Sequence, residues 1–198
     1  MDVREAPRGG APMLGEPLPI ELANSTYAVR HHLVDGLETV EHLAAWLRKA
    51  RNRLPIGLGG ADLDELTDAD LSLARELRDA VRALAHAAAA AEPQDGPAVE
   101  TLNRCARQTP RWRELRLGAG PEPVVRYHGR AVAAVFAEVA EQAMALFAGD
   151  RGRQVRACPG PGCVLFFVGD DPRRHWCSAG CGNRARAARH SARVRRHA

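Results

Sequence analysis

The chain has 198 residues, 45% of them hydrophobic and 26% charged, which excludes a disordered polymer and leaves room for one full domain plus a small one. Its net charge of +4 is divided unevenly: residues 1–150 hold 17 basic against 22 acidic side chains, a balance of −5, whereas residues 151–198 hold 11 arginines against Asp170 and Asp171, a balance of +9. That split excludes a uniformly neutral surface and predicts an acidic body joined to a basic head that seeks anions.

The opening stretch, MDVREAPRGGAPMLGEPLPI, is rich in Pro and Gly. It predicts a disordered tail over residues 1–17 and contains no apolar run long enough for a signal peptide. No stretch is read as approaching the length of a membrane span. The sequon at Asn24–Thr26 is therefore accidental. In LPIEL, the alternation of Leu18, Ile20 and Leu22 predicts a short strand or an extended entry. From Asp35 the period turns helical through Leu37, Val40, Leu43 and Leu47, and Pro55 with Gly57–Gly60 ends that helix.

Thr67 and Asp70 stand in capping-box spacing ahead of a second helix with Leu73, Leu77, Val81 and Leu84 inward, closed by Pro93. A third helix opens at Pro97, with Val99, Leu102 and Ala106 on one face. RWRELRLGAGPEPVVRYHG alternates on both sides of a Gly/Pro turn and predicts a hairpin. A further helix follows, with Val132, Val135, Phe136, Val139, Ala143 and Phe147 inward and Gly149 as its cap. The expected fold class is mainly α with a small β-hairpin (α+β), followed by a cysteine-rich finger.

Five cysteines, four of them clustered, point to a cytoplasmic metal-binding chain and not to a disulfide framework. The cluster, Cys158-x4-Cys163-x13-Cys177-x3-Cys181, offers Zn2+ four soft ligands in two short-spaced pairs. Gly160 and Gly162 supply the backbone freedom a knuckle requires. Val164–Val168 reads as a strand, GDDP as a turn and RRHW as the returning strand, an order that gives a treble-clef-like finger with four cysteine ligands. About 40 residues with so little apolar surface need the metal as their core, with about 10–16 kcal/mol of apparent binding free energy. Four cysteines fill the tetrahedron, so the zinc is structural and not catalytic. Cys105 reads as a small core residue.

WCSAGCGNRARAARH at 176–190 resembles the CGNR zinc finger, named for Cys181-Gly182-Asn183-Arg184. LPIELANST at 18–26 and DGLETVEHLAAWL at 35–47 resemble the ABATE-type stress-induced transcription-regulator domain that accompanies it. The resemblance covers the chain after the tail at 1–17 and implies a bacterial regulator with a helical ABATE-like domain at 18–150 and a finger at 151–198. Two departures stand out. Val164-Leu165 occupies the place of the family's Gly-Trp pair, and Arg186 that of a Lys common after CGNRA.

After the last cysteine, Arg186, Arg189, Arg193 and Arg196 fall within a stripe about 80° wide on a helical wheel. Ala187, Ser191 and Val194 lie on the opposite side, which makes the helix amphipathic. The chain has a single lysine, Lys49, so the choice of arginine is uninformative and only its placement counts. No acidic residue follows Asp171 to neutralise it. Concentrated like charge costs a solvated helix stability, so the stripe points to an anionic partner, duplex DNA first, with docking on the acidic body of the same or a neighbouring subunit, or a bare solvated tail, as the other readings.

The expectation is a zinc-dependent, DNA-binding transcription regulator. Its DNA contacts are Arg184, Arg186, Arg189, Arg193, Arg196 and Asn183, although Asn183 and Arg184 follow a ligand so closely that bracing the knuckle suits them better. The alternative is a zinc-stabilised adaptor for RNA or protein. In the body, Asn24, Arg30, His31, His32, His42 and Trp46 are the polar and aromatic candidates for sensing an effector, and the body is expected to sense a small molecule or to form a homodimer. No nucleophile–base pair, phosphate loop or HExxH is present, so no enzyme is expected.

Overall fold

The computed structural model describes residues 11–197, and side chains through residue 195. The described residues are mainly α with three two-stranded antiparallel sheets. Helix α1 (Leu18–Ala23) occupies the stretch read as a strand. All six of its residues are buried, Pro19 and Glu21 included, so the apolar alternation marks burial on every side and not one face of a sheet. Pro19 in the first turn suits a helix start.

A hairpin of β1 (Thr26–Val29) and β2 (His32–Asp35) follows, with Val29 opposite His32. Its turn, Arg30-His31, has φ of 49° and 69°. Left-handed turns of this kind normally use Asn or Gly, so no hairpin signal is legible in these residues. Helix α2 (Val40–Ala50) begins at Thr39, whose hydroxyl accepts from the His42 N–H; Leu37 lies before it and is buried. A short α3 (Gly60–Asp64) leads to α4 (Asp68–Ala90), the longest helix, whose Thr67–Asp70 capping box forms as expected. Ala91, in the left-handed region, ends α4 before Pro93 is reached.

Helix α5 (Gly96–Arg107) buries Ala98, Leu102 and Cys105. Val99, expected inward, is 40% exposed, because the helix is rotated by one residue from the sequence reading. Burial pushes the Cys105 thiol up, as suits a core residue. Strands β3 (Arg111–Leu117) and β4 (Pro121–Tyr127) form the expected hairpin. Helix α6 (Ala131–Ala148) is long and apolar enough to cross a membrane by length and composition, contrary to the sequence reading. Here 61% of it is buried inside the protein, where it packs against α1, α4 and α5.

The finger comprises β5 (Val155–Ala157), β6 (Phe166–Val168) and α7 (Ala179–His197). Strand β6 pairs with β5, in front of the first cysteine pair, and not with the RRHW segment behind it. Nor does the finger rely on the metal alone for a core. Leu165, Phe167, Cys158, Cys177 and Cys181 belong to the same apolar cluster as Trp46, Leu77 and Phe136 of the body. Phe166, Val155 and Val168 pack in a second cluster with Ile20, Ala85 and Leu146.

Residues 11–17 are likewise part of the body, which corrects the expected disorder there; residues 1–10 lie outside the described residues. Ala11 is fully buried, and the Glu16 carboxylate accepts from the Val168 N–H at 2.9 Å and pairs with Arg174. Burial nevertheless pushes the Glu16 carboxyl above its usual range.

Candidate metal centre and the helix it anchors

The knuckle is built by its backbone. The Cys158 N–H donates to the Leu165 carbonyl at 2.8 Å, and the Cys163 N–H to the Gly160 carbonyl at 2.9 Å, closing the turn between β5 and β6. Gly162 has φ +70°, and a Cβ on Gly160 would lie 3.0 Å from Cys181 Cβ and 3.3 Å from its sulfur. A side chain at 160 would crowd the second cysteine pair.

The four thiols, Cys158, Cys163, Cys177 and Cys181, all lie within 4.8 Å of one another. Cys177 Sγ is 3.4 Å from Cys181 Sγ and 3.8 Å from Cys163 Sγ. A disulfide needs about 2.05 Å, and none is formed. A tetrahedron with Zn–S of about 2.3 Å has an edge of about 3.8 Å. The spacing fits a metal and not a bridge.

Hydrogen bonds from Cys163, Cys177 and Cys181 hold the Cys158 thiol far below its ordinary range, while hydrogen bonding with Cys158 pushes the Cys177 thiol far above it. Four sulfurs this close share protons because they cannot all ionise without a cation between them. Arg184 adds a positive charge, its Nη2 donating to Cys181 Sγ at 2.9 Å. The Ser178 hydroxyl accepts from the Cys181 N–H at 3.3 Å.

The remaining motif positions now have places. Gly182 lets the Trp176 ring lie against α7, since a Cβ there would be 3.1 Å from Trp176 Cδ1. Asn183 is exposed and accepts from Arg186. Arg184 thus braces the sulfur cluster, and Asn183 is hydrogen-bonded within its own helix. Leu165, in the family's aromatic position, is buried in the shared core.

Beyond Ala185, α7 leaves the body. Every described residue from Arg186 to Arg195 is exposed except Ala192, which is half-buried. The buried face is the short one formed by Cys181, Gly182 and Ala185. Ala187, Ser191 and Val194, on the side of the wheel opposite the stripe, are exposed, Val194 by 54%. The helix projects instead of lying down, so its small side chains face outward. Arg186, Arg189 and Arg193 line one groove together. The Arg196 side chain lies outside the described residues.

Of the body candidates, Asn24 matters most, as a clamp and not as a sensor. It is fully buried; its Nδ2 donates to the Phe166 carbonyl at 2.9 Å, and its Oδ1 accepts from the Phe166 N–H at 2.8 Å. The side chain mimics a strand residue, capping β6 from 142 positions away. The Asn24 amide of the sequon is therefore buried and hydrogen-bonded in the folded chain. Arg82, from α4, lies over the Phe166 ring at 5.4 Å and donates to the Ala23 carbonyl at 2.8 Å. Sequence reading misses both Arg82 and Glu16, because nothing local marks a contact so distant along the chain. Trp46 is a core residue, His42 is half-buried on α2, and Arg30, His31 and His32 cluster at the first hairpin's turn. These six do not converge on one pocket.

Asn24→Ala is expected to leave the Phe166 N–H and C=O buried without partners. Each such group costs about 1–3 kcal/mol, and a domain of this size loses roughly 2–4 °C per kcal/mol. Thermal denaturation should show a fall of about 5–15 °C; an unchanged melting temperature would rule out Asn24 as the clamp.

Residues 16–150 match the family model ABATE, described as "Putative stress-induced transcription regulator", and residues 154–194 match the CGNR zinc finger. These are regulatory and zinc-finger families, not enzyme families. No curated protein matches the chain. The zinc-finger match and the four clustered cysteines support Zn2+ as the cofactor.

Proposed function

We propose that this chain, which belongs to the ABATE family and carries a CGNR zinc finger, is a zinc-dependent transcription regulator that binds duplex DNA through α7. Cys158, Cys163, Cys177 and Cys181 supply four thiolates to a structural zinc, leaving no open coordination position for catalysis. With the site at −2, the region from residue 151 still carries about +7, from its eleven arginines and two aspartates. Arg186, Arg189, Arg193 and Arg196 contact phosphates, and the ABATE body is the regulatory half, sensing an effector or self-associating.

One observation carries this reading. Arginines of the body are largely paired within the chain: Arg78 with Asp35 and Asp79, Arg104 with Glu76, Arg111 with Glu138 and Glu141, Arg130 with Asp70. Among the described residues of α7, no arginine has a carboxylate partner; Arg186 meets only Asn183, and Arg184 only the Cys181 sulfur. A projecting helix with small residues outward and unpaired cations beside them suits a major groove about 12 Å wide, which admits an α-helix.

The test is a fluorescence titration of the purified chain against genomic duplex fragments at several salt concentrations, with and without a zinc chelator. Binding that disappears with the metal supports the reading. Absent binding, or binding indifferent to salt, overturns it.

A further inference from the structure

The arginine stripe occupies one flank of α7. Taking 100° per residue from Arg184, the stripe spans about 120–200° and the outward small face about 280–340°. Arg184 itself, at zero, and Arg195, at about 20°, lie on the opposite flank. There the helix borders a cleft whose other walls are the Arg30-His31 turn of the body hairpin and Pro161-Gly162 of the knuckle.

That turn is seated on the metal centre. A Cβ on Gly162 would fall 2.6 Å from His31 Nδ1 and 2.9 Å from His31 Cε1, so the imidazole rests directly on the knuckle backbone. Two consecutive non-glycine residues in the left-handed region, Arg30 and His31, cost about 1–3 kcal/mol each. Glycine or asparagine would relieve the strain, so what these side chains present is the reason to look for a role. Arg30 is exposed and carries no hydrogen bond or ion pair among the described residues. The cleft has no acidic residue in its lining.

The geometry points to a second cationic rail: Arg30 of the body hairpin binds DNA phosphates on the flank of α7 opposite the arginine stripe, with His31 fixing it against the knuckle and Arg195 continuing the rail along the helix. This rests on the DNA-binding reading above and adds to it. A helix in a major groove has a phosphate backbone on each side, and a single stripe neutralises only one of them. Placing Arg30 on the body also makes the ABATE domain a direct DNA contact, so a change in the body that shifts β1–β2 would alter affinity without moving α7.

The test uses the full-length zinc protein and a fluorescein-labelled mixed-sequence DNA duplex, titrated across salt concentrations. Arg30→Asn removes the charge while keeping a residue at home in the left-handed turn, and Arg30→Lys keeps the charge. Losing one phosphate contact should weaken the slope of log K against log salt by about 0.9, an affinity loss of roughly eightfold at about 0.1 M salt. Arg30→Lys should restore most of it. Wild-type binding with an unchanged slope in Arg30→Asn overturns the second rail alone. An equal loss in Arg30→Lys also overturns it, because the turn's shape and not its charge would then be at work. A wild type that binds no DNA overturns both readings.

Discussion

Cys181→Ser is expected to destabilise the body together with the finger. Cys181 is fully buried and contacts the apolar cluster that includes Trp46, Leu77 and Phe136. Losing a zinc site built from four cysteines forfeits a large share of about 10–16 kcal/mol of apparent binding free energy. A protein of this kind has only about 5–15 kcal/mol of stability in total. Because Phe166 and Val168 also fill a cluster with Ile20 and Leu146, release of the knuckle exposes body surface from α1, α4 and α6. Circular dichroism at a helix band reports mainly α2 to α6. It should show one cooperative transition displaced downward by about 15 °C or more, with chelator giving the same displacement in the wild type. A body that melts at the wild-type temperature while only the finger is lost would show two independent domains.

The second large effect lies on α7. Replacing Arg186, Arg189 and Arg193 together by alanine should leave folding intact, because all three are exposed and alanine is the best helix former. Three lost phosphate contacts should weaken the salt slope by about 2.7 and lower affinity about 10²–10³-fold at about 0.1 M salt. The loss should be uniform across DNA sequences, since phosphates carry none of the code. Equal affinity for triple variant and wild type would place the nucleic-acid contact elsewhere, or nowhere.

Legibility in the sequence follows the range of the interaction. The Thr67–Asp70 box, the long helices and the β3–β4 hairpin depend on neighbours a few residues apart, and their signals are local. The cysteine spacing is equally clear, because two short-spaced pairs limit what the chain can do. The Leu18–Ala23 segment misleads, since a helix buried on all sides has no period of its own. The first hairpin is hidden because its turn residues, Arg30 and His31, adopt positive φ without being glycine or asparagine.

Strand β6 finds an unexpected partner for a related reason: Val155–Ala157, before the first cysteine, is too short to announce itself. The shared core is not legible at all. Asn24 and Phe166, or Glu16 and Val168, meet across more than 140 positions, and nothing in either stretch names the other.

For α7 the stripe of Arg186, Arg189, Arg193 and Arg196 is legible and its meaning is not. A helical wheel separates Ala187, Ser191 and Val194 from the stripe but does not say which side faces the protein. Small apolar residues suggest an inward face, yet the only buried contacts among the described residues are those of Cys181, Gly182 and Ala185 near the metal. Those outward small side chains allow a close approach to a groove, and cations flank them on both sides.

The most direct measurement is the salt dependence of duplex-DNA affinity for the wild-type zinc protein. Four phosphate contacts from Arg186, Arg189, Arg193 and Arg196 predict that log K falls with log salt at a slope of about −3.6, steepening toward about −4.5 if Arg30 adds a fifth. Undetectable binding, or a slope near zero, would contradict DNA recognition by α7.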